Sequence, residues 1–280
     1  MLFDSHAHIG DLAETEEALR SIIEEIEEHP LLQRVADIGY DLPSSVRVME
    51  NAARYPWCTG VVGVHPHDAA SMDESIYEEI KRLALSGASA IGEIGLDYYY
   101  MRSPREDQIY WFRRQIALAN ELGMPIVIHS RDADKETMDI LAGEGAFSDE
   151  RKALFPKRPG PDGALLPDAR VDIHCFSGSA ELAAEYVKLG ATIGICGPLT
   201  YKNNKKTVRV VQEIPMEFLM VETDSPYLTP EPLRGRPNRP WYVEHTARRL
   251  AVIKGVTFEE ASEAAYRNAM RFYGLQDKET

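Results

Sequence analysis

What most constrains this chain is an alternation that runs along its whole length. Short stretches rich in Val and Ile are each followed by a longer amphipathic stretch, eight times in 280 residues. The extended stretches cover about 2–8, 34–38, 58–64, 88–94, 125–128, 170–173, 191–196 and 217–221. The main helical patterns cover 13–28, 44–55, 73–85, 105–122, 133–141, 180–189, 203–214, 241–253 and 257–272. In 13–28, Leu19, Ile22, Ile23 and Ile26 fall on one face and glutamates on the other, the pattern of an outer helix packed on a sheet. Near-continuous apolar strands joined by helical crossovers give a parallel sheet buried on both faces. Eight such units in a chain close to the ~250 residues of a (β/α)8 barrel predict that fold. The expectation is therefore an α/β protein, a TIM barrel forming a single domain over residues 1–280.

In this fold the carboxyl ends of the strands form the reactive face. The first strand ends in His6 and His8, which share one face because side chains two apart in a strand project together. Glu93 lies near the end of the fourth strand, His129 ends the fifth, His174 the sixth and Asp224 the eighth. Six metal-type side chains from five strands thus point into one basin. That is more than one tetrahedral ion needs, so two divalent metal ions are expected. The mixed nitrogen and oxygen donors suit Zn or Mn, while Mg prefers oxygen; Mg, Mn and Zn all stay open. A carboxylate can hold two ions ~3.5–4 Å apart, and Glu93 is read as that bridge. Asp224 would bind one ion and act as general base toward the attacking water. His65, which ends the third strand, reads as a substrate or phosphate contact or as support for a ligand. Arg131 is suited to a phosphate oxygen. Tyr227 and Asn238 read as pocket-lining, and Asp97 as an orienting partner for a ligand histidine.

Six segments carry these residues: Asp4-Ser5-His6-Ala7-His8, Gly63-Val64-His65-Pro66-His67, Gly92-Glu93-Ile94-Gly95-Leu96-Asp97-Tyr98, His129-Ser130-Arg131, His174-Cys175-Phe176-Ser177-Gly178 and Glu222-Thr223-Asp224-Ser225-Pro226-Tyr227-Leu228. In this order they resemble the TatD family of metal-dependent DNases within the amidohydrolase superfamily, over nearly the whole chain. The resemblance implies that His6, His8, Glu93 and Asp224 hold one metal, and that Glu93, His129 and His174 hold the other. It implies phosphodiester hydrolysis, including removal of nucleotides from the 3′ ends of single-stranded DNA or RNA. The alternative is an amidohydrolase-type enzyme acting on a small phosphoester, lactone or C–N bond. No Lys stands at the ends of strands four or five, where a bridging carboxylated lysine would sit in many such enzymes.

The net charge is −14, which opposes non-specific nucleic-acid binding. The charge is unevenly placed, however. Glutamates crowd 14–28, whereas the loops expected on the reactive face carry Arg102, Arg105, Arg131, Lys202, Lys205, Lys206, Arg234, Arg236 and Arg239. Such a rim fits a single strand or a nucleotide end, with Tyr98, Tyr99, Tyr100 and Trp241 placed to stack on bases. Residues 143–169, broken by Pro156, Pro161 and Pro167, read as an extended connection on the face away from the chemistry. Cys58, Cys175 and Cys196 are widely spaced in apolar contexts and read as reduced core residues. No run of ~18 apolar residues and no leader pattern is visible. The expectation is a cytoplasmic protein with no membrane partner.

Overall fold

Each apolar stretch has backbone N–H and C=O groups that cannot be buried unpaired, and parallel neighbours supply the pairs. A computed structural model describes residues 1–276. Eight strands form one sheet in chain order: β1 (Leu2–Ala7), β2 (Leu32–Ile38), β3 (Cys58–Val62), β4 (Ala90–Asp97), β5 (Ile126–Arg131), β6 (Val171–Ile173), β7 (Thr192–Ile195) and β8 (Leu219–Val221). Every neighbouring pair in that order is parallel. The seam between β8 and β1 is drawn together just past the strand ends. Asp224 N donates to His6 O at 2.9 Å and His8 N to Ser225 O at 2.8 Å. The sheet is thus a nearly closed barrel with helices around it, as the alternation predicts.

Period-two alternation sorts the strand residues into two cores. Leu2, Val35, Val62, Ile91, Ile128 and Ile193 pack outward against the helices. Phe3, Ile38, Val61, Val127 and Met220 gather instead with Tyr266, Met270 and Phe272 of the last helix, Phe258–Phe272, and with Tyr273 just after it. That helix plugs the end of the barrel where the strands begin. It starts at a reciprocal cap: Glu260 N donates to Thr257 Oγ1 and Thr257 N to Glu260 Oε2.

Two strands run past their expected ends. Strand β4 continues to Asp97 and β5 to Arg131, because Gly95, Leu96 and Asp97 pair with His129, Ser130 and Arg131. Asp97 and Arg131 therefore stand on sheet, not loop. Residues 143–169 hold a short helix, Asp149–Lys152, and an antiparallel ribbon of Arg158–Pro159 with Leu165–Leu166. Buried Arg151 donates to the carbonyls of Ala169 and Met124, and buried Arg158 to those of Ala191 and Val187. Those carbonyls precede or open β5, β6 and β7, so the stretch packs against the barrel end opposite the strand termini. No helix among the described residues is long and apolar enough to cross a membrane.

Asp4 anchors the seam. Its carboxylate accepts from Thr223 N at 2.8 Å and Thr223 Oγ1 at 2.5 Å, all buried. Asp4→Ala leaves those donors without a partner, and a buried unsatisfied donor costs about 1–3 kcal/mol. The expected loss of that size in urea unfolding, with Asp224 lying next in the chain, is accompanied by weaker metal retention; an unchanged midpoint would contradict the anchoring role.

Candidate metal centre

The six candidate ligands arrive on five strand ends and meet around one carboxylate. Glu93 is buried. Its Oε2 lies 3.3 Å from His6 Nε2 and 3.9 Å from His8 Nε2. Its Oε1 lies 2.6 Å from His129 Nδ1, 3.6 Å from His174 Nε2 and 3.6 Å from His65 Nε2. Asp224 Oδ1 stands 3.5 Å from His8 Nε2 and 3.9 Å from both His6 Nε2 and His174 Nε2. The His6 and His174 rings stack with centroids 3.5 Å apart. Asp224 has a backbone φ of 56°, in the left-handed region that a non-glycine residue adopts at some cost. Here the seam hydrogen bond from its N–H holds it in place.

The outer nitrogens decide which inner ones are free. His8 Nδ1 lies 3.0 Å from Ile38 O; a carbonyl only accepts, so Nδ1 carries a proton, and Nε2 is the nitrogen that offers a lone pair to the centre once the ring is neutral. His174 Nδ1 sits at ion-pair distance, 3.0 Å, from Glu222 Oε1, and its Nε2 turns toward Glu93 and Asp224. His129 is held between Glu93 and Asp97, whose Oδ2 is 3.3 Å from Nε2. His65 is the opposite case. Its Nδ1 accepts from His67 N at 3.0 Å, so in the neutral ring Nε2 bears the proton. His65 thus faces the centre as a hydrogen-bond donor, the geometry of a substrate contact.

His6 supplies the test of fit for a metal. It is fully buried, and neither ring nitrogen has a hydrogen-bond partner. Such a buried polar group costs about 1–3 kcal/mol unless satisfied. A cation between His6, His8 and Glu93, whose donor atoms lie within 4.8 Å of one another, satisfies it. The donor set of imidazoles and carboxylates is that of divalent transition-metal sites.

Charge is balanced within the cluster. Burial opposes a charged Glu93, yet the imidazoles of His65, His174 and His6 hold its carboxyl well below the usual range. Burial and the neighbouring His174 push His6 down. Burial opposes charge on His8 also, but the hydrogen bond and charge of Asp224, with Glu93, push it up to about 9. His8 therefore carries a proton at pH 7 that must leave before its nitrogen can ligate. Zn²⁺ or Mn²⁺ uptake at pH 7 is expected to release protons, and affinity to rise with pH until His8 has titrated. Calorimetry in buffers of different ionisation heat checks this; heats independent of the buffer would contradict it.

The cluster opens into a cavity of about 900 Å³ that Arg131, Arg102, Tyr100 and Tyr227 line. Arg131 lies over the rings of Tyr99 and Tyr100 at 4.1 and 4.6 Å. Asp97 joins this mouth to the centre: its Oδ2 lies 2.8 Å from His67 Nε2, and its Oδ1 accepts from Tyr99 N and Tyr100 N. Tyr227 is exposed, with its ring edge toward His8.

Some sequence expectations need correction. Asn238 is fully buried and lines no pocket; its amide donates to Thr223 O and Tyr227 O, bracing the Asp224 loop. Arg105 is not a free rim charge, because Glu136 pairs with it at 2.6 Å. A second glutamate, not among the expected site residues, stands beside the centre. Glu222, fully buried behind His174, also accepts from Cys175 N at 2.6 Å. The sequence signal for it was its place two residues before Asp224, directly after an apolar strand.

The profile of the family described as TatD related DNase matches residues 3–274. The chain is 40% identical over 276 residues to YabD of Bacillus subtilis, named as an uncharacterized metal-dependent hydrolase, covering 98% of this chain and 100% of that one. It is 34% identical over 243 residues to a protein of Klebsiella pneumoniae named 3′-5′ ssDNA/RNA exonuclease TatD, covering 85% of each. Its fold is similar to the crystal structure of YJJV, a TatD homologue from Escherichia coli, with a TM-score of 0.83 at 22% identity and 98% coverage of both chains. The alternation, the six converging donors and these similarities lead to one conclusion: this chain belongs to the TatD family of metal-dependent hydrolases.

Proposed function

We propose that this hydrolase, acting as one domain over residues 1–280, removes nucleotides from the 3′ ends of single-stranded DNA or RNA. The observation that carries the reading is Glu93, which has imidazoles on both of its oxygens and so lies between two donor sets. One set is His6, His8, Glu93 and Asp224; the other is Glu93, His129 and His174. Two divalent ions (Mg, Mn or Zn) held there supply Lewis-acid stabilisation of the phosphoryl charge.

The remaining work falls to the chain's own atoms. Asp224 lies at the cavity wall, and burial notwithstanding, the hydrogen bond and charge of His8 with the charges of His174 and His6 keep its carboxyl below the usual range. A carboxylate so placed takes the proton of the attacking water as general base. His65 donates its Nε2 proton to a non-bridging phosphate oxygen. Arg131 pairs with the next phosphate along the strand, while Tyr99, Tyr100 and Tyr227 offer exposed rings to bases. A basic, aromatic mouth on a protein of net charge −14 favours a strand end over the side of a duplex, where many phosphates would meet the acidic barrel. The three unpaired cysteines fit a reducing, cytoplasmic setting.

Protein stripped by chelator and reloaded with Mg²⁺, Mn²⁺ or Zn²⁺ in turn is offered single-stranded DNA, duplex DNA and a small phosphodiester. The reading expects metal-dependent cleavage with the single strand fastest. Turnover confined to a small ester or lactone would overturn it and move the enzyme to another class of amidohydrolase.

A further inference from the structure

The three cysteines are unequal. Cys58 is buried on β3, apart from the others. Cys175 and Cys196 follow the adjacent strands β6 and β7, and their Sγ atoms lie within 4.8 Å of each other and of a Glu222 carboxylate oxygen. Cys175 is half-buried and lines the cavity. Cys196 is buried, and its thiol donates to Thr223 O at 3.2 Å. A solvent-reachable thiol with a second thiol behind it is the arrangement in which an oxidised sulfur is resolved within the same chain. We propose that Cys175 and Cys196 form a modification site, a dithiol that peroxide entering the cavity converts to a disulfide.

The chemistry balances without any further reactant. Hydrogen peroxide transfers an oxygen atom to the Cys175 sulfur, giving a sulfenic acid and one water. The Cys196 sulfur then attacks the Cys175 sulfur. The S–S bond forms, the S–O bond breaks, and the hydroxyl leaves as a second water with the Cys196 proton. The two sulfurs together lose two electrons, and the peroxide O–O bond gains them. A thiol reductant reverses the bond by exchange.

The consequence follows from what lies on either side. An S–S bond is ~2.05 Å long, so both sulfurs must swing inward and the Cys196 bond to Thr223 O is lost. Cys175 has little slack. It sits at φ 45°, its N–H is held by Glu222, and the next residue, Phe176, is pinned through its N–H to Gly194 O at 3.0 Å. The motion therefore passes to the neighbours in the chain, His174 on one side and Thr223-Asp224 on the other. Both carry donors of the metal centre. The disulfide loosens the centre without touching it, an effect independent of which ester the enzyme cuts.

The test uses the whole protein, apo and metal-loaded, before and after hydrogen peroxide. Titratable thiols in denaturant are expected to fall from three to one, and digestion should yield a peptide pair linked through Cys175 and Cys196 that dithiothreitol separates. Zn²⁺ affinity of the oxidised protein is expected to fall by about tenfold, as when support behind a ligand is lost, and to return on reduction. Cys196→Ser should form no linked pair and keep its affinity after peroxide, and Cys58→Ser should behave as wild type. Three thiols remaining, a sulfinic acid at Cys175 without a link, or a link involving Cys58 would overturn the proposal. So would a Cys175–Cys196 bond that leaves metal affinity unchanged. The linked-peptide map is read on the unsubstituted protein, so the result stands even if the Cys196 variant fails to fold.

Discussion

Replacing Asp224 with Asn is expected to leave a folded, metal-binding protein that turns over substrate roughly 10²–10⁴-fold more slowly, the span ascribed to a positioned general base. The substitution keeps the size and the backbone hydrogen bond from residue 224 to His6 O, so the strand seam stays intact. It removes a carboxylate that lines the cavity and stands against the imidazoles of His6, His8 and His174. The loss should fall on kcat, with KM little changed, because proton removal is made only in the transition state. Wild-type kcat in this variant would refute the role assigned to Asp224. A proportional rise in KM alone would recast the residue as a binding group.

The second large effect concerns Glu93. Glu93→Gln preserves shape but removes the charge that five imidazoles face. Without it, the two donor sets lose their shared carboxylate and the negative charge that offsets bound cations. Metal content by elemental analysis is expected to drop from about two ions to one or fewer, and activity to fall at least as far as in the Asp224 variant. Two ions retained in Glu93→Gln would contradict the bridging assignment. The contrast between the variants is informative in itself. One is predicted to keep its metals and lose turnover, the other to lose both.

The barrel and its donors are legible in the sequence for one physical reason. A strand buried on both faces is mostly apolar, so a His, Glu or Asp at or near the end of such a run marks a strand end on the reactive face. His129 and His174 follow such runs directly, His6, His8 and Asp224 stand within a few residues of one, and the eightfold alternation places them together before any coordinates are known. What is not legible depends on contacts that no local pattern encodes. Gly95-Leu96-Asp97 and Ser130-Arg131 look like loop, yet their backbones pair with each other across β4 and β5. Glu222 gives no sign of lying behind His174, because β7 and β8 set that contact through Glu222 N bonding to Ile195 O. Asn238 sits among prolines, Pro237 and Pro240, and reads as pocket-lining; its amide is instead consumed by two carbonyls of the Asp224 loop. The ring nitrogens are the clearest case. Sequence separates His8, read as a ligand, from His65, read as a substrate contact or support, but not their tautomers; the partners that set these, Ile38 O and His67 N, appear only in the fold.

The central claim is that this centre cuts phosphodiesters stepwise from a 3′ end, and an end-labelled strand tests it most directly. A single-stranded oligonucleotide labelled at its 5′ end is incubated with protein stripped by chelator and reloaded with one divalent ion at a time. The account predicts a ladder that shortens one nucleotide at a time from the 3′ end, absent under chelator and absent with Asp224→Asn. Immediate release of the 5′ label as a mononucleotide, internal cuts without a ladder, or no cleavage with any ion would contradict it.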